Sequence, residues 1–266
     1  MDGFAAGEYA VSTTPFAVDQ WQPTGDKLAH IQTNGVGVWA VVESTTIEQV
    51  EEAVTTFSWR NEHYTAEVDG DGLINVNGAS LGKLAVSEEL GDTYSEEIGD
   101  VLGEICVTSP LTVVERSEQH TVIAFEGEWR GDDRRASVAV RLAFDNSPLI
   151  RWTIGLDSRG TDLRVDMVFE TGKVGTIHAG MPFDVVQRPA ADEDLLPRDL
   201  PSELAAVLLG QRELGKVDSF PVHDFVAISD HRNSKGGTVA VLSRGTRAYA
   251  ADGHGTLKLA LRRSVE

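Results

Sequence analysis

The sequence predicts an all-β protein, built as an antiparallel sandwich. Three observations carry that prediction. Apolar and polar residues alternate at period two through most of the chain, in segments rich in Val, Ile, Thr and aromatics. Clusters of Gly, Asp and Asn interrupt these segments roughly every ten residues, as hairpin turns do. Helical periodicity surfaces in only two short places.

The elements follow in chain order. "TTIEQVEEAVTTF" (Thr45–Phe57) carries Ile47, Val50 and Val54 at helical spacing and is the first expected helix, although its threonines weaken it. "HYTAEVDGDGLINVNG" (His63–Gly78) reads as two short strands around a turn. "GEICVTSPLTVV" reads as strand, with Cys106 expected to be a buried, inert thiol. The stretch His120–Asp157 gives three strands, broken at Gly131-Asp132-Asp133 and at Asp145-Asn146-Ser147-Pro148. "TDLRVDMVFET" (Thr161–Thr171) adds another. "RPAADEDLLPRDLP" (Arg188–Pro201) is Pro-punctuated and acidic, hence a long surface loop. "PSELAAVLLGQ" (Pro201–Gln211) is the second expected helix, with Ser202 as N-cap and Gly210 as stop. Gly236–Val265 closes the chain with three strands, turning at Ser243-Arg244-Gly245 and at Asp252-Gly253-His254-Gly255.

Composition narrows the class. At 266 residues the chain is long enough for a sizeable core. No apolar run approaches the ~18 residues of a membrane span, and the N-terminus lacks the basic start and apolar stretch of a signal peptide. One cysteine allows no internal disulfide, so a cytoplasmic location is expected. The net charge of −19 is spread along the chain, and arginine supplies most of the positive charge. That argues against nucleic acid, whose phosphates need a basic face. It fits either an ordinary acidic protein or a halophilic one, in which salt screens dense surface carboxylate.

Several motifs carry little chemistry. In "EVDGDGLI", Glu67, Asp69 and Asp71 alternate as in a calcium loop, but Gly78 stands where a bidentate Glu is required. The stretch is read as a hairpin turn. The seven histidines are scattered without zinc spacing, and neither a phosphate-binding glycine loop nor a nucleophile elbow is present. Arg141, Arg151 and Arg164 lie in otherwise apolar strand segments. Each is either a fork for a sugar hydroxyl or carboxylate, or a residue on the polar side of its strand. The five tryptophans are expected to pack in the core or on sheet faces.

"ELGDTYSEEIGD" (Glu89–Asp100) stands out. With Glu88 it gathers six carboxylates around Tyr94, with neither strand alternation nor a helical stripe. Most of that charge, on Glu88, Glu89, Glu96, Glu97 and Asp100, is expected to sit in a solvated loop.

The order of motifs resembles the C-terminal β region of family 38 glycoside hydrolases, the α-mannosidases. Asn61-Glu62, then the Asp71-Gly72-Leu73-Ile74 turn, then Gly91-Asp92-Thr93-Tyr94 follow the family order, and "FDVVQRP" (Phe183–Pro189) and the closing strands continue it. The resemblance implies a β-supersandwich of the galactose-mutarotase-like kind over residues 45–266, with residues 1–44 a strand region packed on it. It also implies that Tyr94 meets a mannoside-like sugar, with Asp92 shaping the loop or touching a sugar hydroxyl. A tyrosine suits that role, having a flat apolar ring and one polar tip. The family's nucleophile, acid and zinc ligands belong to an α/β barrel that this chain lacks. The resemblance therefore implies no catalytic or metal-binding residue here, no cofactor, and a separate barrel as partner. Departures exist: Thr161 and Asp162 stand where the family has His and Arg, and Asp184 replaces the glycine after the phenylalanine. Two other expectations stay open. One is an autonomous sugar-active enzyme on a mutarotase-like sandwich, using paired carboxylates or a His/Glu pair. The other is an interaction module without a ligand.

Overall fold

The computed structural model describes residues 9–11, 19–24, 27–33, 38–91, 96–188, 219–230, 237–243, 246, 248–252 and 254–265; up to residue 46 it describes backbone alone. Among these residues every regular element is a strand, and the strands pair antiparallel. The expected all-β, antiparallel class is what the chain adopts. No helix among the described residues is long and apolar enough to cross a membrane.

The chain divides into two compact units with interleaved segments. The first holds residues 1–77, 107–128 and 137–157; the second holds 78–106, 129–136 and 158–266. The first unit opens with β1 (Tyr9–Val11), β2 (Asp19–Thr24), β3 (Lys27–Thr33) and β4 (Val38–Thr46), a four-stranded sheet ordered β1-β4-β3-β2. Then come β5 (Glu48–Val54), β6 (Phe57–Arg60), β7 (Thr65–Val68) and β8 (Ile74–Val76). The chain continues through β9 (Ala79–Glu89), β10 (Ile98–Glu104) and β11 (Cys106–Val107) to β12 (Leu111–Arg116), β13 (His120–Arg130), β14 (Arg135–Asp145) and β15 (Ile150–Arg159). The remaining strands are β16 (Leu163–Glu170), β17 (Gly175–Met181), β18 (Asp184–Arg188), β19 (Phe220–Pro221), β20 (Phe225–Asp230), β21 (Thr238–Leu242), β22 (Ala248–Ala251) and β23 (Thr256–Ser264).

Within the first unit a sheet ordered β15-β14-β13-β12-β5 faces the β6-β7-β8 meander. The rings of Phe57 and Trp59 meet Phe144 at 5.2 and 6.5 Å, so the two sheets close sandwich-like over an aromatic centre. Val138, Val140, Leu142 and Phe144 alternate inward along β14 and are buried. The expected Thr45–Phe57 helix is not formed; Glu48–Val54 is an edge strand paired with β12. Val50 and Val54 are the half-buried positions of that strand. They lie four apart, a spacing that suits period two as well as the helical period. The β-branched residues and an available ladder on β12 decide for the strand. The expected helix Pro201–Gln211 lies outside the described residues, as does nearly all of the expected loop Arg188–Pro201.

In the second unit β16 is central, between β9 and β23, and seven of its eight residues are buried. Leu163, Val165, Met167 and Phe169 point to one side and Arg164, Asp166 and Val168 to the other. A second sheet, ordered β18-β17-β20-β21, contributes buried Ile177, Ala179, Val226 and Ile228. Cys106 is exposed, contrary to expectation. It sits on a two-residue strand whose alternation turns its side chain out, 3.8 Å from the Glu104 carbonyl.

Candidate functional site: an acidic loop on a buried arginine

The stretch from Glu89 to Asp100 is the connection of a β9–β10 hairpin. Glu88 and Glu89 end β9 and Asp100 lies within β10. Asp92 and Tyr94 lie outside the described residues, but both ends of the loop that carries them are described. The amide of Leu90 donates to the Glu97 carbonyl at 2.8 Å, which closes the loop. The amides of Gly91 and Glu97 both donate to Glu89 Oε1 at 3.2 Å. One carboxylate thus caps the loop from within.

Glu89 does this from the interior, at 1% exposure, so it is not part of a solvated loop. A buried carboxylate requires partners. Arg263 supplies a bidentate pair, Nε to Oε2 at 2.8 Å and Nη2 to Oε1 at 3.0 Å. Arg164, fully buried, reaches Glu89 Oε2 with Nη1 at 3.4 Å. The same Nη1 donates to Glu96 Oε2 at 3.0 Å, and Arg164 Nε donates to both Asp166 oxygens at 2.9 Å. Glu96 is further held by Arg263 Nη1 at 3.4 Å and by the Ser219 hydroxyl. Two arginines and three carboxylates therefore bind β9, β16 and β23 to both ends of the loop. Arg164 Nη2 is buried and has no partner among the described residues.

The electrostatics follow from this packing. Burial acts to raise the Glu89 pKa, but the Arg263 hydrogen bond, the Glu97 amide and the two guanidinium charges outweigh it and hold it below the usual range. Asp166 is raised, because burial outweighs its pairing with Arg164. Desolvation disfavours charge on Arg164, yet Asp166 and Glu96 overcome it and keep the guanidinium protonated.

The other candidates from the sequence resolve differently. Asn61 is a clamp. Its Nδ2 donates to the carbonyls of Asp145 and Ser147 at 2.9 and 3.0 Å, and its Oδ1 accepts from the amides of His63 and Tyr64 at 2.8 Å. Asp69 caps its own hairpin, accepting from the amides of Asp71 and Leu73 at 3.0 Å, as a turn reading requires. Arg141 is exposed and pairs with Glu115 at 2.7 Å. Arg151 pairs with buried Asp145. Trp59 sits on its sheet face and donates Nε1 to the Asp145 carbonyl at 3.2 Å. Phe183 is fully exposed at the β17–β18 turn with φ of 72°, so the strain that a glycine would relieve falls on the phenylalanine itself.

Among the described residues, no group of three His, Cys, Asp or Glu side chains is arranged to hold a metal ion. His120 pairs with Glu115 at 3.5 Å but is buried. Sequence reasoning missed Glu89, Glu96, Asp166 and Arg263. One signal was present: Arg164 and Asp166 stand two apart in an otherwise apolar strand and so share its face. A scan against protein-family models finds no match for this chain, and no curated protein matches it.

Proposed function

We propose that this chain is a carbohydrate-binding β domain, related to the C-terminal β region of the family 38 α-mannosidases. It meets a mannoside-like sugar through the loop that carries Asp92 and Tyr94. Catalysis belongs to a separate α/β barrel, which would bring the nucleophile, the acid and the zinc. The observation that carries this reading is the anchoring of the loop ends. Glu89 accepts from the amides of Gly91 and Glu97, and Glu96 is paired with two arginines, so the segment that carries Asp92 and Tyr94 is entered and left at anchored points. The family relationship itself rests on the order of motifs in the sequence.

The test is hydrolysis of an aryl α-mannoside. The chain with zinc alone is expected to be inactive, and a co-expressed family 38 barrel lacking its own β region is expected to gain activity when the chain is added. Robust turnover by the chain alone, insensitive to a barrel, contradicts the proposal.

A further inference from the structure

A second polar site lies at the opposite end of β9. Ser80 pairs with Glu170 on β16, and Glu170 pairs with Thr256 on β23. Residues opposite one another in antiparallel strands project from the same face. A carboxylate is therefore flanked on both sides by a hydroxyl. Glu170 is exposed, and its carboxylate makes no hydrogen bond or ion pair among the described residues.

The row opens into a depression of about 370 Å³, lined also by Gly78, Gly172, His254 and Gly255. That is near the lower end of the roughly 300–1,000 Å³ of small-molecule sites. Two glycines shape the rim. Gly172 has φ of 64°, and a Cβ there would meet no atom within 4 Å. Gly255 has φ of 113°, and a Cβ there would lie 2.7 Å from the Lys173 carbonyl oxygen. The turn bearing His254 is fixed, because Asp252 Oδ1 accepts from the amides of His254 and Thr256 at 2.8 and 3.0 Å.

The ligand class follows from the donor set. One carboxylate is far short of the about six to eight oxygens a calcium ion takes. Its charge repels phosphate or carboxylate. A carboxylate between two hydroxyls, with an imidazole at the rim, complements two adjacent hydroxyl groups: the carboxylate accepts from both, Ser80 donates or accepts, and Thr256, whose hydroxyl is turned to the Asp252 carboxylate, accepts. We infer that this end of the sheet is a binding site for a vicinal diol of a sugar-sized ligand. Ser80 and Glu89 lie nine residues apart along β9, roughly 30 Å at ~3.3 Å per residue, so this site uses none of the loop residues.

Amide NMR of the full chain, titrated with methyl α-D-mannopyranoside, tests this. Saturable shifts are expected at Gly78, Gly172, His254 and Gly255, and none with the fully O-methylated ether, which lacks donor hydroxyls. Glu170→Gln and, separately, Thr256→Val are each expected to weaken the affinity read from these amides at least tenfold. Shifts confined to Gly91, Glu97 and Ile98 overturn this inference and leave the loop reading standing. Shifts at the glycine rim that survive both Glu170→Gln and Thr256→Val overturn it as well.

Discussion

Replacing Arg164 with methionine removes a buried guanidinium while keeping much of its volume. The partners do not suffer equally. Glu89 keeps its bidentate pair with Arg263, and Glu96 keeps Arg263 and the Ser219 hydroxyl. Asp166, at 3% exposure, loses both hydrogen bonds it received and is left buried with only the charge of Lys258 to offset its own. Breaking a buried pair in this way costs about 3–5 kcal/mol. For a chain of this size, that corresponds to a fall of roughly 6–20 °C in Tm. Adding Asp166→Asn removes the stranded charge and is expected to recover about 1–3 kcal/mol. The pH dependence has a definite sign. A carboxyl raised in the folded state takes up its proton there first, so stability is gained as pH falls from neutral towards the unfolded value near ~4. Losing Arg164 raises Asp166 further, so the deficit of Arg164→Met narrows between pH 7 and pH 5. Calorimetry and urea unfolding at several pH values measure this. A deficit below about 1 kcal/mol at pH 7, or one that widens on acidification, refutes the reasoning.

Three further outcomes are expected. Asn61→Ala removes four hydrogen bonds, two of them to the carbonyls of Asp145 and Ser147, and should cost about 2–4 kcal/mol by urea unfolding; a cost under ~0.5 kcal/mol contradicts the clamp. Burial depresses the His120 pKa against the opposing pull of Glu115. The unfolded chain therefore protonates first, and stability falls as pH drops below about 6.5. His120→Gln should flatten the Tm–pH curve just below that value, and an unchanged slope rejects the assignment. The net charge of −19 predicts a higher Tm in molar KCl than in dilute buffer, since salt screens mutual repulsion; greater stability at low salt rejects the halophilic reading.

Much of the fold was legible because local chemistry and tertiary structure agree. The breaks at Gly131-Asp132-Asp133 and Asp145–Pro148 are where β13, β14 and β15 end and begin. The closing stretch forms the three expected strands, β21 to β23. Thr45–Phe57 misled because apolar residues four apart satisfy both periods. Glu89 was misread for a different reason. A glutamate at a strand end signals solvent, unless its counterions are known. Here they lie 75 and 174 residues away, on β16 and β23, and only the fold brings them together. The loop was therefore recognisable as unusual, while its support was not.

The central proposal is that Tyr94 meets a sugar, and the tyrosine itself offers the most direct readout. The chain has four tyrosines, so labelling with 3-fluorotyrosine gives four fluorine resonances, and the one absent in Tyr94→Phe is that of Tyr94. Titration with methyl α-D-mannopyranoside should move that resonance saturably, and Arg164→Met, which loosens the loop support, should weaken the response. A Tyr94 resonance that stays fixed at saturating sugar contradicts the proposal.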